Sequence, residues 1–561
     1  MKLHLAAIVL TLSTATTVPL RAEPVPVAFD WFEYSGTNAF EAKTGPGEYQ
    51  NPILTGFYPD PSACRVGDDF YLINSTFAYF PGIPIFHSRD LVNWKHVGHV
   101  IHRPDQLRYD RVGVSGGIFA PAITHHKDTF YVVCTQVGGN GNFVVTATNA
   151  AGPWSDPTEL RFEGIDPSLF FDDDGRAWMV NNGAPEGQPL YNGHRAIWIQ
   201  EFDHAARKMV GPRKVIVNGG IDLSKKPIWI EGPHIYKRDG WYYLCCAEGG
   251  TGPQHSQVIL RSKNVDGPYT PWEKNPILTQ RDLSPNAPEA VTCTGHADLV
   301  IGPDNNWWAV FLGVRPYQGR FSPMGRETFL LPVKWTDDGW PTILPPGQRV
   351  PMVGKTPRGV SVKPSEVLPL NGNFNWRDDF KETSLSPAWI MLRAPKETWW
   401  KLDGGKLKLT PRADVLSSRV NPSFLGRRVQ HARFTASTSV EVPSVPNVSA
   451  GLAVFQGERH HYFAGVRRDT NSVSLYLERF KGRGADREVV RTVNLSDVKN
   501  VKLRVTGNDA KCAFEYARDN GSSETLASDQ DATLLTTDVA GGFVGATVGP
   551  HARVETAPQE N

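Results

Sequence analysis

The stretch "TGFYPDPSACRVGDDFYLINST", Thr55 to Thr76, opens on Asp-Pro-Ser, runs through a short apolar segment to an acidic turn, and leaves that turn as an aromatic strand. The same order returns four more times. "APAITHHKDTFYVVC" begins at Ala120, "DPSLFFDDDGRAWMV" at Asp166, "EGPHIYKRDGWYYLC" at Glu231 and "HADLVIGPDNNWWAV" at His296. Aligned on their first residues, with Asp60 opening the first unit, all five carry an aspartate eight positions on: Asp68, Asp128, Asp174, Asp239 and Asp304. An apolar run, a turn of Gly, Asp and Asn, and a second apolar run make the pattern of a β-hairpin.

A second signature follows in several units, where "SRDLVNW" (from Ser88), "TNAAGPW" (from Thr148) and "SKNVDGPYTPW" (from Ser262) read as turns that lead through Trp into a further strand. A unit of about four strands repeating every 46 to 65 residues matches one blade of a β-propeller. Helical periodicity of any length is absent. The fold class expected is all-β: a five-bladed β-propeller over residues 45–350, then a second domain. Residues 351–376, in "KTPRGVSVKPSEVLPLNGNFNW", are punctuated by Pro and Gly without strand period and read as a linker. From 377 to 561 alternation returns in "GKLKLTPR", "TASTSVEVPS" and "SVSLYLERF", the pattern of a β-sandwich.

Bulk composition narrows the function. Lys and Arg number 59 against 58 Asp and Glu, so charge gives no reason to expect nucleic acid or an anionic membrane as partner. Residues 1–22 carry Lys2, a short apolar run from Leu5 to Leu12 and small residues up to Ala22. They read as a cleaved secretory signal, too short to span a bilayer, which implies export to the periplasm or the medium. Cys64, Cys134, Cys245, Cys246, Cys293 and Cys512 are scattered, which suits buried thiols with at most one bridge rather than a disulfide framework.

In a propeller the innermost strand of each blade lines the axis, and its first residue stands near one mouth of the channel. In register, Asp60, Ala120, Asp166, Glu231 and His296 form a ring there. A single Asp before Pro often only caps a turn. Three carboxyls converging on one mouth are different, since they repel and lose hydration without benefit to the fold, as catalytic or metal-binding groups do.

These residues carry a resemblance. "GFYPDPS", "GIDPSLFFDDDG", "IEGPHIYK", "TGHADLV" and "GRETFL" resemble, in order along the whole propeller, the motifs of glycoside hydrolase family 43. "STFAYFPGIPIFHSRDLVNW" is similar to the branch containing β-xylosidases and α-L-arabinofuranosidases with an appended concanavalin-like sandwich. The resemblance implies an inverting, exo-acting hydrolase that takes hemicellulose-derived oligosaccharides and releases xylose or arabinose. Asp60 matches the general base that activates water, Glu231 the general acid, and Asp166 the third carboxylate, which orients the acid and raises its pKa. Arg326 matches a substrate-contacting arginine, the alternative being an ion pair with Glu327. Phe77 and Phe119 match rings that line the sugar pocket, the alternative being ordinary core residues. His296 matches a residue near the axis that holds water or, in some members, calcium, the alternative being a hydrogen-bonded core histidine. No cofactor is required by this reading, and no dense oxygen-ligand loop for calcium is visible.

Two rivals come from other classes. "GVSGG", Gly113 to Gly117, fits the Gly-x-Ser-x-Gly pattern of serine hydrolases, but that motif needs a helix after its turn, and "IFAPAITHH" belongs to a β repeat. A non-catalytic carbohydrate-binding propeller is the other, because fold alone proves no reaction.

Overall fold

The computed structural model describes residues 25–38, 43–357, 368–469, 472–482, 487–496, 498–519 and 521–555. The signal-like segment 1–22 lies outside the described residues. Five antiparallel sheets succeed one another along the chain. The first holds Ser62–Val66, Asp69–Ile73, Gly82–Ser88 and Lys95–Ile101, and the second Gly117–His126, Thr129–Val137, Gly141–Ala147 and Thr158–Glu159. The third holds Ile165–Phe171, Ala177–Gly183, Ala196–Asp203 and Lys208–Asn218. In the fourth, Glu231–Arg238, Trp241–Glu248 and Ser256–Ser262 are joined by the short strands Thr270–Pro271 and Leu278–Thr279. The fifth holds Thr292–Ile301, Trp307–Val314 and Glu327–Pro332.

Their first strands touch in the cyclic order one, two, three, four, five, one, which closes a ring. The segment before blade one completes blade five: Leu54 bridges Thr328, and Glu48–Gln50 pairs with Val353–Lys355. This pairing joins the two ends of the ring, so blade five is built from both ends of the propeller segment.

The Asp-Pro-Ser motif has a division of labour. Its serines stitch neighbouring blades: Ser62 Oγ donates to Asp298 Oδ2 at 2.7 Å and accepts from Ile123 N at 3.1 Å, while Ser168 Oγ donates to the Pro233 carbonyl at 2.5 Å. Its aspartates sit in the left-handed backbone region, as do their counterparts in the other blades. Asp60 (φ 51°), Ala120 (32°), Asp166 (53°), Gly232 (54°) and His296 (50°) share it. In blades two to five the residue lies inside a break of strand register: Phe119/Ala122, Ile165/Ser168, Glu231/His234 and Gly295/Asp298. A bulge of this kind re-aims side chains toward the end of the sheet.

This register corrects the sequence alignment in blade four. The position equivalent to Asp60 and Asp166 is Gly232, and Glu231 stands one place earlier, where Phe119, Ile165 and Gly295 stand in other blades. Counting back from the acidic turn hides the offset: Asp239 is the first residue of its two-residue turn, whereas Asp68 and Asp128 are the second. Gly232 is glycine for a stated reason: at φ 54° a Cβ would come 2.8 Å from His296 Nε2.

The remainder forms the sandwich. One sheet runs Trp400–Leu402, Leu407–Leu409, Val27–Thr37, Arg433–Glu441, Asn500–Asn508, Lys511–Arg518, Glu524–Asp531, and Phe374–Asp378 pairs with Val27–Thr37. The other runs Ser423–Phe424, Thr547–Val554, Val448–Gly457, His460–Arg468, Val473–Lys481, Glu488–Leu495, and Arg427–Arg428 pairs with Thr547–Val554. Phe29, Phe32, Trp399, Leu503, Phe514 and Val548 are among the buried residues of its core.

Two features were not read from the sequence. Val27–Thr37, which carries no repeat of either domain, is an interior strand of the sandwich, so the described residues begin in one domain, build the other and return. The linker expected at 351–376 contains the strand Val353–Lys355 and the start of Phe374–Asp378; residues 358–367 lie outside the described residues. All six cysteines are free. Among the described residues no helix is long and apolar enough to cross a membrane.

Candidate active site

At the mouth of the ring lies a pocket of about 260 Å³, lined by Asp60, Phe77, Phe119, Ala120, Ile165, Asp166, Trp229, Glu231, Gly250, Thr251, His296, Arg326 and Phe543. Every residue singled out in the sequence, Asp60, Asp166, Glu231, Phe77, Phe119, Arg326 and His296, lines it. Glu231 reaches the pocket despite its offset because residues on both sides of the bulge, such as Ile165 with Asp166 and Phe119 with Ala120, turn to the same cavity.

The three carboxyls are buried, at 5% exposure for Asp60 and Asp166 and 7% for Glu231, yet their surroundings differ. Asp60 Oδ1 accepts from Arg326 Nη1 at 2.9 Å, and Oδ2 accepts from Ser75 Oγ at 2.7 Å. Burial by itself pushes Asp60 up, but Arg326, His296 and the Ser75 hydroxyl together outweigh it and hold its pKa below the ordinary value. Asp166 has one weak donor, Gly232 N at 3.3 Å from Oδ2. Burial first and the Asp60 charge second push it up to about 7. Glu231 is raised well above the usual carboxylate range by burial, then by the charges of Asp166 and Asp60. One carboxylate is therefore kept ionised, while two beside it hold a proton between them at neutral pH.

Arg326 is buried and belongs to Asp60. The alternative partner, Glu327, is taken by Arg315, with Nε to Oε2 at 2.7 Å and Nη2 to Oε1 at 2.8 Å. The Arg326 guanidinium also lies over the rings of Phe77 (5.8 Å) and Phe543 (5.5 Å), where the π face favours a cation. His296 is 7% exposed, and its Nδ1 stands 3.8 Å from Asp60 Oδ1. Burial lowers its pKa to about 4, so it is a neutral imidazole. Among the described residues no three His, Cys, Asp or Glu side chains are grouped to hold a metal ion. His296 with Asp60 alone does not fit the six to eight oxygen ligands that calcium takes.

The apolar wall is made of three phenylalanines. Phe77 meets Phe119 edge-on at 5.3 Å; Phe543 stacks on Phe77 at 5.9 Å and meets Phe119 edge-on at 5.6 Å. Phe543 comes from the sandwich, in the loop between Thr537–Ala540 and Thr547–Val554. Sequence reasoning missed it, along with Trp229, Thr251 and the Ser75 donor, because none lies in a repeat slot.

Residues 49–341 match Glycosyl hydrolases family 43, and residues 377–560 match the Beta xylosidase C-terminal Concanavalin A-like domain. The chain belongs to glycoside hydrolase family 43. It is a glycoside hydrolase with a five-bladed propeller and a concanavalin-like sandwich. Over 527 residues it is 38% identical to a "Xylosidase/arabinosidase" of Butyrivibrio fibrisolvens, covering 91% of this chain and 97% of that one. It is also 38% identical over 523 residues to the "Non-reducing end alpha-L-arabinofuranosidase BoGH43B" of Bacteroides ovatus, covering 90% and 91%. Among solved structures, a GH43_12 protein retrieved from capybara gut metagenome superimposes with a TM-score of 0.89 at 42% identity, covering 94% of this chain and 99% of that one. In this family 43 hydrolase the carboxyl ring is thus set in a propeller whose pocket the second domain completes.

Proposed function

We propose that this enzyme is an inverting, exo-acting glycosidase that releases xylose from β-D-xylosides, arabinose from α-L-arabinofuranosides, or both, at the ends of hemicellulose oligosaccharides. The observation that carries this reading is the split in one pocket between an ionised Asp60 and a proton-holding pair, Asp166 and Glu231. Inverting hydrolysis needs one carboxylate to take a proton from water and one carboxylic acid to give a proton to the departing oxygen on the other face of the sugar.

Glu231 donates its proton to the glycosidic oxygen as the bond to the anomeric carbon breaks. Asp60 accepts a proton from the water that forms the new bond from the opposite face. Asp166, within the electrostatic reach of both, keeps Glu231 protonated until the sugar binds. At the end of the cycle Asp60 carries the extra proton and Glu231 is ionised; exchange with solvent resets both. Acid and base both come from the chain, so no step is routed through a metal or organic cofactor.

The sandwich supports action from chain ends. Phe543 closes one side of a pocket of about 260 Å³ that is otherwise a propeller mouth, which favours a terminal sugar over one inside a polymer. A xylopyranoside and an arabinofuranoside present similar atoms around the scissile bond, and relatives of this chain carry both names. Residues 1–22 suggest that it acts outside the cytoplasm, where such oligosaccharides are met.

Rates on 4-nitrophenyl β-D-xyloside and α-L-arabinofuranoside, with an acetyl ester as control, test the substrate. Proton NMR of the first sugar released, read before mutarotation, tests the mechanism. Inverted anomer from one or both glycosides is expected; retained anomer, or turnover of the ester alone, overturns the proposal.

A further inference from the structure

Ser115 is the serine of Gly113-Val114-Ser115-Gly116-Gly117. The strand Gly117–His126 follows it directly, so the sharp turn into a helix that a nucleophilic serine needs is missing. Its hydroxyl has another partner: Ser115 Oγ accepts from the backbone N–H of Phe543 at 2.9 Å. The loop that carries Phe543 comes as close as it can. Gly541 and Gly542 both have positive φ (74° and 83°), and a Cβ on Gly542 would stand 2.2 Å from Ser115 Oγ.

The Ser115 side of this contact is firmly held. Arg393 Nε donates to the Val112 carbonyl at 2.6 Å, and Val114 N donates to Glu458 Oε1 at 3.0 Å, so the sandwich grips the loop that carries Ser115. Three residues beyond Ser115, Ile118 exchanges two backbone hydrogen bonds with Phe77, each 3.0 Å. Phe77 is the ring on which Phe543 stacks. One short segment of the propeller therefore fixes both the floor ring and the main chain of the roof ring.

We propose that Ser115 is a positioning residue for hydrolysis: by holding the main chain of Phe543 it seats a sandwich ring against the terminal sugar in a site otherwise built by the propeller. The inference rests on the glycosidase reading above. An aromatic ring contributes to sugar binding only where its face or edge is held in place; Gln456 Nε2 holds the Val544 carbonyl at 2.8 Å on the far side of Phe543, and on the near side, after two glycines, Ser115 supplies the hold.

A double-mutant cycle tests it on whichever glycoside the wild-type enzyme turns over best. Ser115→Ala is expected to raise KM about three- to tenfold, the range of one hydrogen bond. The inhibition constant of the released monosaccharide should rise in parallel, with kcat little changed. Phe543→Ala should lose at least as much, and the double variant no more than Phe543→Ala alone. Gly542→Ala, which must push the hydroxyl aside, should reproduce the loss with Ser115 intact. Multiplying losses in the double variant, or wild-type constants in Ser115→Ala or Gly542→Ala, overturn the tether. A wild-type enzyme inactive on every glycoside would instead overturn the reading on which it rests.

Discussion

Arg326 reaches Asp60 across the seam between blades five and one, its guanidinium donating to the carboxylate at 2.9 Å although 266 residues separate the two in sequence. The contact joins blade one to the residue that enters the last strand of blade five, Glu327–Pro332, and it is the first of the interactions that offset the burial of Asp60. A buried carboxylate that loses such a partner becomes an acid.

Replacing Arg326 by Leu is therefore expected to move the acid limb of the kcat/KM–pH profile toward neutrality and to lower kcat/KM at neutral pH by about 10²–10⁴, the contribution of a general base. Arg326→Lys keeps the charge without the planar fork and should move the limb less. Steady-state rates across pH 3 to 9 check this. An unchanged acid limb in Arg326→Leu would show that something else keeps Asp60 ionised.

The two proposed proton-transfer roles separate by leaving group. Glu231→Ala should lose about 10²–10⁴ in kcat on a disaccharide, whose sugar oxygen must be protonated to depart. On a dinitrophenyl glycoside the loss should be far smaller, because that phenolate leaves without a proton. Asp60→Asn should lose similarly on both, since the attacking water needs its base in either case. Equal losses for Glu231→Ala on the two substrates would place the proton donor elsewhere.

Asp166 makes a prediction about stability, with a definite sign. Its carboxyl titrates at an ordinary 3.8 when unfolded and is pushed up to about 7 in the fold by burial and by Asp60. The native state thus holds a proton that the unfolded chain releases, so stability present below pH 3.8 is lost as pH rises to about 7. A shift of this size is worth on the order of a few kcal/mol. Asn cannot ionise. The melting temperature of Asp166→Asn relative to wild type should therefore climb as pH is raised from 4 to 7.5, even as activity falls. A difference that stays constant with pH would mean Asp166 is not protonated in the fold.

Much of the architecture was legible in the chain because it is local. A hairpin needs only an apolar run, a turn residue at the right place and a second run, and five copies at blade spacing leave a ring as the economical closure. Asp60 and Asp166 could be picked out for the same reason: each precedes Pro-Ser at the start of a first strand, and those serines bond to neighbouring blades. The place of Glu231 was blurred, since its acidic turn is one residue out of step and the slot itself belongs to Gly232. Only the bulge, a matter of pairing between strands, decides which side chain points where.

What the sequence determined by itself was the set of strands, their repeat and the acids that open them, all fixed by interactions between near neighbours. The tertiary structure alone decided which acid keeps its charge. Burial, Arg326 and Ser75 act on Asp60 through space, and no spacing along the chain encodes their distances. The same holds for the first strand, Val27–Thr37, which joins a sheet built hundreds of residues later, and for Phe543, which crosses from one domain to complete the pocket of the other. Contacts of that kind depend on how whole sheets pack, and a linear pattern carries no measure of it.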